Sequence, residues 1–361
     1  MLKRLAGRWL VVAAIAGMAV AGCGKKGPPV APELRLPLAA TALRAMIDED
    51  TIVLSWTNPQ ARGDGSSLRD LTAVRLYRRE DDEGAPLKPA MLSSGRVVGY
   101  DEIAAIRLDA PAPAVVKNDV VQWVDRRGLA AGRRYVYVVT ATDSLGRTGA
   151  PSERLAVPFL SAPRPPGTVR VSPGDRQVML SWDTPTALAD GSPVAGQLVY
   201  VVLRGAGSDG PLSPVTPTGL SGTSYTDTGL DNDGEYRYAV RAVRVDPRVV
   251  AVGAPSKPVT AMPVDTTPPR PPTDLIVVPA PGAARLAWRA SPEEDVALYA
   301  VYRATGTGGF TRIGTALAGT TTFIDRDVRP GVTYRYAVTA LDRARKPNES
   351  GRSAEVAVTL P

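Results

Sequence analysis

The sequence predicts an all-β protein in which one small unit is used three times. A motif containing an aspartate, a glycine and two alternating tyrosines occurs in three places, about 100 residues apart. Apolar residues recur at every second position along each copy, which is the period of a half-buried strand. Glycine and proline number 34 each, a composition typical of many short strands joined by turns. Together these observations favour three β domains of modest size.

Each copy of the motif consists of a strand, a tight turn and a second strand. The copies run from Trp123 to Ala141, from Tyr225 to Ala242 and from Phe323 to Ala340. One aspartate ends the first strand of every copy, and we interpret it as a turn or capping residue, because a catalytic acid is not expected in triplicate. These aspartates are Asp125, Asp227 and Asp325.

The strands before and after this motif also repeat. Near its start, every unit has a strand in which a leucine and a tryptophan alternate onto one face. The tryptophans are Trp56, Trp182 and Trp288. A further strand ends at an arginine, which we interpret as an exposed charge at a strand edge. The arginines are Arg78, Arg204 and Arg303. The last strands are expected near Ser152–Val157, Ser256–Ala261 and Ser353–Thr359.

This strand order, with a tryptophan on the second strand, resembles the fibronectin type III domain. The segment Val328-x-Pro330-Gly331-x-x-Tyr334 is similar to the tyrosine corner of that family, and Tyr135 and Tyr236 occupy matching positions. The resemblance implies tandem immunoglobulin-like sandwiches of two sheets, in which the corner tyrosine bonds upstream backbone. We expect domains over residues 33–160, 161–265 and 266–361, the first with loop insertions. Proline-rich joints should stiffen the chain and keep contacts between the domains few.

The N-terminal residues are predicted to form a targeting signal. Lys3, Arg4 and Arg8 precede an apolar run that is too short for an ordinary transmembrane helix. The end of the run, Val20-Ala21-Gly22-Cys23, resembles the bacterial lipoprotein lipobox. That resemblance implies a signal peptide over residues 1–22 and acyl chains, such as palmitate, on Cys23, followed by a Gly/Pro tether over residues 23–32. The alternative is a general secretory signal with a chance cysteine.

The residues around the lipidation site suggest an address in the cell envelope. Gly24 follows the cysteine where aspartate tends to retain enteric lipoproteins in the inner membrane, so this resemblance implies the outer membrane. The run Cys23-Gly-Lys-Lys-Gly-Pro-Pro is similar to the start of small Gram-negative envelope lipoproteins, some of them associated with lipopolysaccharide transport. The expected partners are therefore the membrane, through the acyl chains, and an envelope protein or surface polymer.

Composition excludes several kinds of chemistry. The chain contains no histidine and one cysteine, so a Ser-His-Asp or Cys-His centre and a histidine-based zinc site are impossible. With Cys23 acylated, no thiol remains for catalysis, and no cofactor or metal is predicted. The formal net charge of +7 is spread along the chain and lacks the clustered basic footprint of a nucleic-acid-binding protein.

The first unit carries the longest insertion, which is the candidate partner-binding loop. Arg78 to Gly99 spans 21 residues, whereas the corresponding Arg303 to Gly309 spans 6. Loops usually carry binding in a sandwich, and strand parity places this one beside the second unit. The insertion could instead brace that joint or be disordered. Its candidate residues are Glu80, Asp81, Asp82, Glu83, Met91 and Leu92.

Two short motifs in the first unit imitate binding sites. The four adjacent acids Glu80 to Glu83 lack the alternating spacing of a calcium loop, so a solvated loop is favoured. Arg62-Gly63-Asp64 matches an integrin-binding tripeptide, but three residues match by chance too often to carry a function.

The sequence favours a non-enzymatic lipoprotein of the outer membrane that acts as an envelope scaffold, spacer, or adhesion and interaction module. A carbohydrate- or polymer-binding accessory of the cell surface is the alternative, and exposed aromatic residues on one sheet face would favour it. An enzyme built on carboxylate pairs and an accessory of lipopolysaccharide transport are further alternatives.

Overall fold

A computed structural model describes residues 31–361, and strands dominate this range. A single turn of 3₁₀ helix at Pro32–Arg35 precedes the first strand. Within residues 31–361, no helix is long and apolar enough to cross a membrane. The signal peptide predicted for residues 1–22, the lipidation site Cys23 and nearly all of the predicted tether lie outside the described residues.

The strands are numbered in chain order. The first unit contains β1 (Thr41–Asp48), β2 (Thr51–Thr57), β3 (Leu71–Asp81), β4 (Leu92–Ser93), β5 (Arg96–Val97), β6 (Asp101–Arg107), β7 (Val115–Lys117), β8 (Val120–Asp125), β9 (Arg134–Asp143) and β10 (Leu155–Pro158). The second contains β11 (Arg170–Gly174), β12 (Gln177–Ser181), β13 (Gln197–Ala206), β14 (Ser213–Pro214), β15 (Ser224–Thr228), β16 (Tyr236–Val245), β17 (Val250–Pro255) and β18 (Val259–Ala261). The third contains β19 (Thr273–Ala280), β20 (Ala283–Arg289), β21 (Val296–Thr305), β22 (Thr311–Leu317), β23 (Thr322–Asp325), β24 (Thr333–Asp342) and β25 (Val356–Thr359).

Each unit is a sandwich of two antiparallel sheets. In the third unit, the sheet β19-β20-β23 faces the sheet β22-β21-β24-β25. The second unit repeats this order with β11-β12-β15 and β14-β13-β16, and β18 also pairs with β16. The first unit places β10-β9-β3-β6 opposite a sheet that contains β1, β2, β8 and β7. The predicted fold class, a tandem array of fibronectin-like sandwiches, is confirmed.

The period of two along the strands fills the space between the sheets. Trp56, Trp182 and Trp288 are 1%, 3% and 5% exposed, and each lies in the core of its own unit. Trp182 and Trp288 pack against Tyr200 and Tyr299, with ring centroids 5.5 Å apart in both pairs. This tilted or edge-on contact is the favoured geometry of buried aromatic pairs.

The predicted tyrosine corner is present in all three units. The hydroxyl groups of Tyr135, Tyr236 and Tyr334 accept hydrogen bonds from backbone N–H groups five residues upstream, at 2.9, 3.0 and 3.1 Å. The Tyr135 hydroxyl also donates to the backbone oxygen of Gly128. The corner pins the turn onto the strand that follows it, so the turn needs few contacts of its own.

An Arg–Asp–Tyr group repeats inside the units, and it corrects the prediction that the three arginines are exposed edge charges. Arg78 donates to the Asp125 carboxylate at 2.9 Å, and the Tyr137 hydroxyl donates to the same oxygen at 2.8 Å. The second and third units repeat both bonds. The arginine side chains are 17–35% exposed because they lie over the corner tyrosines.

This group has a structural role. Burial, with a further contribution from the neighbouring aspartate, raises the pKa of Tyr137, Tyr238 and Tyr336, so their hydroxyls stay protonated and keep donating. The aspartate is 3–5% exposed in every copy and accepts both bonds. The interpretation of Asp125, Asp227 and Asp325 as structural residues agrees with these contacts.

A core mutation in the third unit should destabilise that unit alone, whereas one in the first unit should also affect the second. Replacing a core tryptophan with alanine costs about 3–5 kcal/mol, a large share of a domain's stability of about 5–15 kcal/mol. We expect Trp288→Ala to loosen the third unit alone. Trp56→Ala should also expose the second unit, because the first core contains Val249 and Ala251. Limited proteolysis with mass mapping of the fragments tests this, and early cleavage of the first two units in Trp288→Ala would contradict it.

Candidate functional site

The candidate partner-binding loop is not an open loop. It leaves β3, forms the two-residue hairpin β4–β5 and returns to β6. Its residues Leu87, Ala90 and Leu92 pack against the outer face of the sheet that carries β3 and β9. The residues on that face are Tyr77, Val136 and Val138. The insertion therefore encloses a second, smaller core on the outside of the first unit.

The acidic residues of the insertion are held by arginines. Glu80 and Asp82 pair with Arg133 at 2.7 and 3.0 Å, and Asp81 pairs with Arg79 at 2.7 Å. Together with Glu83, these residues form the run of four adjacent acids in the sequence. The pairs of Glu80 and Asp82 are exposed, whereas the Asp81 side chain is 7% exposed and its partner Arg79 lies on the same strand.

Glu83 connects the insertion to the second unit. Its carboxylate lies 2.8 Å from the guanidinium of Arg248 in the turn between β16 and β17. This contact lies on the side of the first unit where strand parity predicts the insertion. Both side chains are about half exposed, and such pairs are worth roughly 0–1 kcal/mol. Met91 is 66% exposed and Leu92 is half-buried, so partner binding by this loop stays a prediction.

The first two units are joined by a shared sheet, which corrects the expectation of few contacts between domains. Strand β17 of the second unit pairs in parallel with β1 of the first, with Ile47 opposite Ala251. The backbone N–H of Glu49 donates to the Val252 oxygen at 2.8 Å. Val249 and Ala251 are 4% and 0% exposed within the first core. One continuous sheet therefore extends from β14 of the second unit to β7 of the first.

Side chains at the rim complete this junction. Arg241 on β16 forms an ion pair with Asp48 at the end of β1, and Glu49 lies 3.6 Å from the same guanidinium. The Nε of Arg241 donates to the Gly253 oxygen at 2.7 Å. The junction thus combines main-chain pairing, buried side chains and a partly buried charge pair, which together hold the two units in one orientation.

A single sequence position explains why only the first unit accepts this strand. Ile47 lies opposite Ile52 on the neighbouring strand, and the equivalent residues of the other units are Pro173 and Pro279. Alternate residues point to the same edge, so the N–H of Ile47 faces β17, as that of Glu49 does. Proline has no N–H and protects an edge strand from pairing. The two prolines are visible in the sequence, but their equivalence to Ile47 is recognised only after the strands of the three units are aligned.

The second joint is built differently. The sheets described for residues 31–361 contain no pairing between a strand of the second unit and one of the third. The contacts are made by side chains: Asn348 donates to the Asp265 oxygen at 3.2 Å, and Thr267 bonds to Asp175. These are few and exposed or half-buried, so the third unit is held less firmly than the first two hold each other.

The Arg62-Gly63-Asp64 tripeptide is part of the architecture of the first unit. The Arg62 guanidinium bonds to Asp70, to the Asp143 carboxylate at 2.7 Å, and to the Arg35 oxygen at 2.9 Å. A methyl group on Gly63 would press against the backbone of Leu34. The tripeptide holds the segment at Leu34 and Arg35 against the first unit, and its arginine is engaged by these contacts.

The sheet faces offer little to a sugar ring. Within residues 31–361, every Phe, Tyr and Trp is buried or half-buried. The two half-buried rings on the outer face of the third unit, Tyr302 and Phe310, are covered by the Arg352 guanidinium at 5.4 and 4.8 Å. Arg335 lies over Phe310 as well, at 5.1 Å. An open aromatic platform, which would have favoured the carbohydrate alternative, is not formed by the described residues.

No cluster of side chains that could bind a metal ion is found among the described residues. No group of three or more histidine, cysteine, aspartate or glutamate side chains converges there in a way that could hold a metal ion. The carboxylates with defined partners accept hydrogen bonds from arginines, hydroxyls, asparagine amides or backbone N–H groups. What the described residues do provide is sheet faces, loops and a junction in which two units share one sheet.

The chain resembles parts of two bacterial glucanases. It is 32% identical over 323 residues to exoglucanase B of Cellulomonas fimi, a match that covers 80% of this chain and 27% of that protein. It is also 32% identical over 282 residues to endoglucanase B of Cellulomonas fimi, covering 73% of this chain and 25% of that protein. The chain thus spans about a quarter of the length of these curated relatives.

Other comparisons add less. No protein-family model matches the chain. Among solved structures, the crystal structure of the chicken CNTN1 FN1–FN3 domains is 15% identical and covers 90% of this chain and 99% of that one. Its TM-score of 0.29 is too low to support an argument about how the units are arranged.

The charge group around Arg62 predicts a pH dependence. Burial alone would raise the pKa of Asp143, but hydrogen bonds from Arg147 and Arg62 outweigh it and lower the pKa to about 2. In an unfolded chain it is about 3.9. The stabilisation, about 2–3 kcal/mol, is therefore complete above about pH 5 and is lost progressively as the pH falls through 4 and 2. Urea unfolding at several pH values should show this slope, and Asp143→Asn should flatten it.

A matched control exists on the same unit. Asp109 pairs with Arg107 at 2.6 Å, but both side chains are mostly exposed. The hydrogen bond to Arg107 also lowers the pKa of Asp109, but solvent screens this exposed pair. Asp109→Asn should therefore change the acid slope much less than Asp143→Asn does. Equal slopes in the wild type and in Asp143→Asn would contradict the assignment.

Proposed function

We propose that this chain is a non-catalytic spacer whose first two units form one rigid arm. The observation that carries the proposal is the parallel pairing of β1 with β17, which fuses two sandwiches into a single sheet. A jointed string of domains would leave their orientation free, whereas a shared ladder fixes both distance and direction. The arm can therefore present its loops and faces at a set position relative to whatever holds its start.

The anchor in this proposal is Cys23. The lipobox resemblance supports acyl chains at this residue and an address in the outer membrane. Two acyl chains or more hold a protein firmly to a bilayer, whereas one holds it marginally. The engagement of Arg62 with the segment that follows Pro32 supports the same geometry, because it fixes the chain close to the first sandwich.

The similarity to exoglucanase B and endoglucanase B supports an auxiliary role in handling a polymer as the second candidate. The matched segments are about a quarter of those proteins, so the similarity supports a role beside an enzyme without assigning a catalytic activity to this chain. On this reading the arm would hold an enzyme or a polymer-binding partner near the envelope. The covered aromatic rings argue that any contact with a glycan is not made by ring stacking on the sheets.

The rigid arm is tested by Ile47→Pro. The substitution removes the N–H that faces β17, so hydrogen exchange at residues 245–252 should rise by at least about tenfold, the equivalent of about one hydrogen bond. Ile47→Ala removes side-chain packing but keeps the N–H, and it should retain most of the protection. Exchange followed by mass spectrometry measures both. Unchanged protection in Ile47→Pro would end the proposal of a shared ladder.

The anchor is tested by Cys23→Ala. We expect an uncleaved precursor or soluble protein in place of the membrane-bound form, because acylation needs the thiol. Fractionation of the envelope and intact-mass measurement give the result. An unmodified Cys23 in membrane-bound wild-type protein would contradict lipidation and would leave the rigid arm untouched.

A further inference from the structure

An apolar groove lies beside the junction of the first two units. It occupies the outer face of β13, β16 and β17, and β1 contributes Met46 to its wall. Its volume is about 420 Å³, within the usual range for sites that bind small molecules or a few side chains. Aliphatic side chains dominate the lining, among them Val199, Val201, Leu203, Val243 and Val250.

The same face is covered in the other two units. In the first, the segment 87–92 packs over Tyr77, the residue equivalent to Leu203. In the third, Arg335 and Arg352 lie over Phe310, and Arg352 also covers Tyr302, which is again equivalent to Leu203. The second unit has only a short connection between β13 and β14, and Pro214 and residues 217–219 line one side of the groove. Of the lining side chains, Leu203, Val243 and Val252 are 7–9% exposed, and Val245 is 38% exposed. The second unit has no equivalent of the inserted segment that covers this face in the first unit, or of the arginines that cover it in the third.

Charge narrows the choice of occupant. Among the described residues that line the groove, Arg241 is the charged one, and its guanidinium is engaged by Asp48 and by the Gly253 oxygen. A fatty acid or phospholipid would bring an anionic group with no cation left to receive it. An aliphatic peptide segment needs no such partner. The cover on the first unit is a segment of this kind, with Pro86, Leu87, Pro89 and Leu92.

We propose that this groove docks an extended, proline- and aliphatic-rich segment of a partner protein. Proline lowers the entropy lost when an extended segment is ordered, and leucine or methionine side chains fill the valine-lined wall. Because Met46 comes from the first unit and the valines from the second, the complete groove exists only while β1 and β17 are paired. The spacer would then expose its docking surface only in its rigid form.

The probe is a synthetic peptide with the sequence of residues 85–92, Ala-Pro-Leu-Lys-Pro-Ala-Met-Leu, blocked at both ends. Titrated into the full chain carrying labelled valine methyls, it should cause saturable shifts at Val201, Val243 and Val250. Val201→Asp should weaken binding by at least about tenfold. Val245→Lys, at a more exposed position, serves the same purpose if the first variant does not fold. Ile276→Asp, on an exposed apolar face of the third unit, should leave the affinity unchanged.

The dependence on the junction is tested with Ile47→Pro, which should weaken the peptide's affinity at least about tenfold while Ile47→Ala retains most of it. Three results would overturn the proposal. One is an absence of saturable shifts, or shifts only at Val136 and Val138. Another is the same groove shifts with dodecanoate at lower concentration than with the peptide, which would indicate a lipid site. The last is groove shifts that depend on protein concentration alone, which would indicate a second copy.

Discussion

The parallel pairing of β1 with β17 is the constraint on which the other features of the first two units depend. It brings Val249 and Ala251 into a core that belongs to another sandwich. It also sets Arg241 against Asp48 and completes the wall of the apolar groove with Met46. Main-chain pairing is directional, so a few ladder bonds fix an orientation that the same area of loose apolar contact would leave variable.

The three units share an interior and differ on the outside. Inside, the tryptophan, the tyrosine corner and the Arg–Asp–Tyr group repeat with nearly identical distances. Outside, one sheet face is covered by an inserted segment, one by stacked arginines, and one carries an apolar groove. Burial leaves little freedom for the core residues, because each polar group there needs its partner. The outer faces are free of that constraint, so differences in function between the units belong there.

A sandwich with a repeated interior can be joined to many partners, because its stability does not depend on what its outer faces contact. What makes this chain particular is the way its first two sandwiches are joined. The shared sheet, the contacts of Arg62 with the segment before β1 and the apolar groove at the junction support the proposed role of a spacer that positions a partner.

The sequence by itself determined the fold class, because a period of two, a buried tryptophan and the tyrosine corner are local patterns that recur three times. It also identified the insertion, since a length difference between copies needs no coordinates. It misjudged Arg78 and its equivalents as exposed, because the carboxylate that holds each one lies on another strand. Only the tertiary structure decided that the insertion folds back on its own sheet and that β17 joins β1. Both depend on contacts between residues far apart in the chain, here Ile47 and Ala251, which no local periodicity encodes.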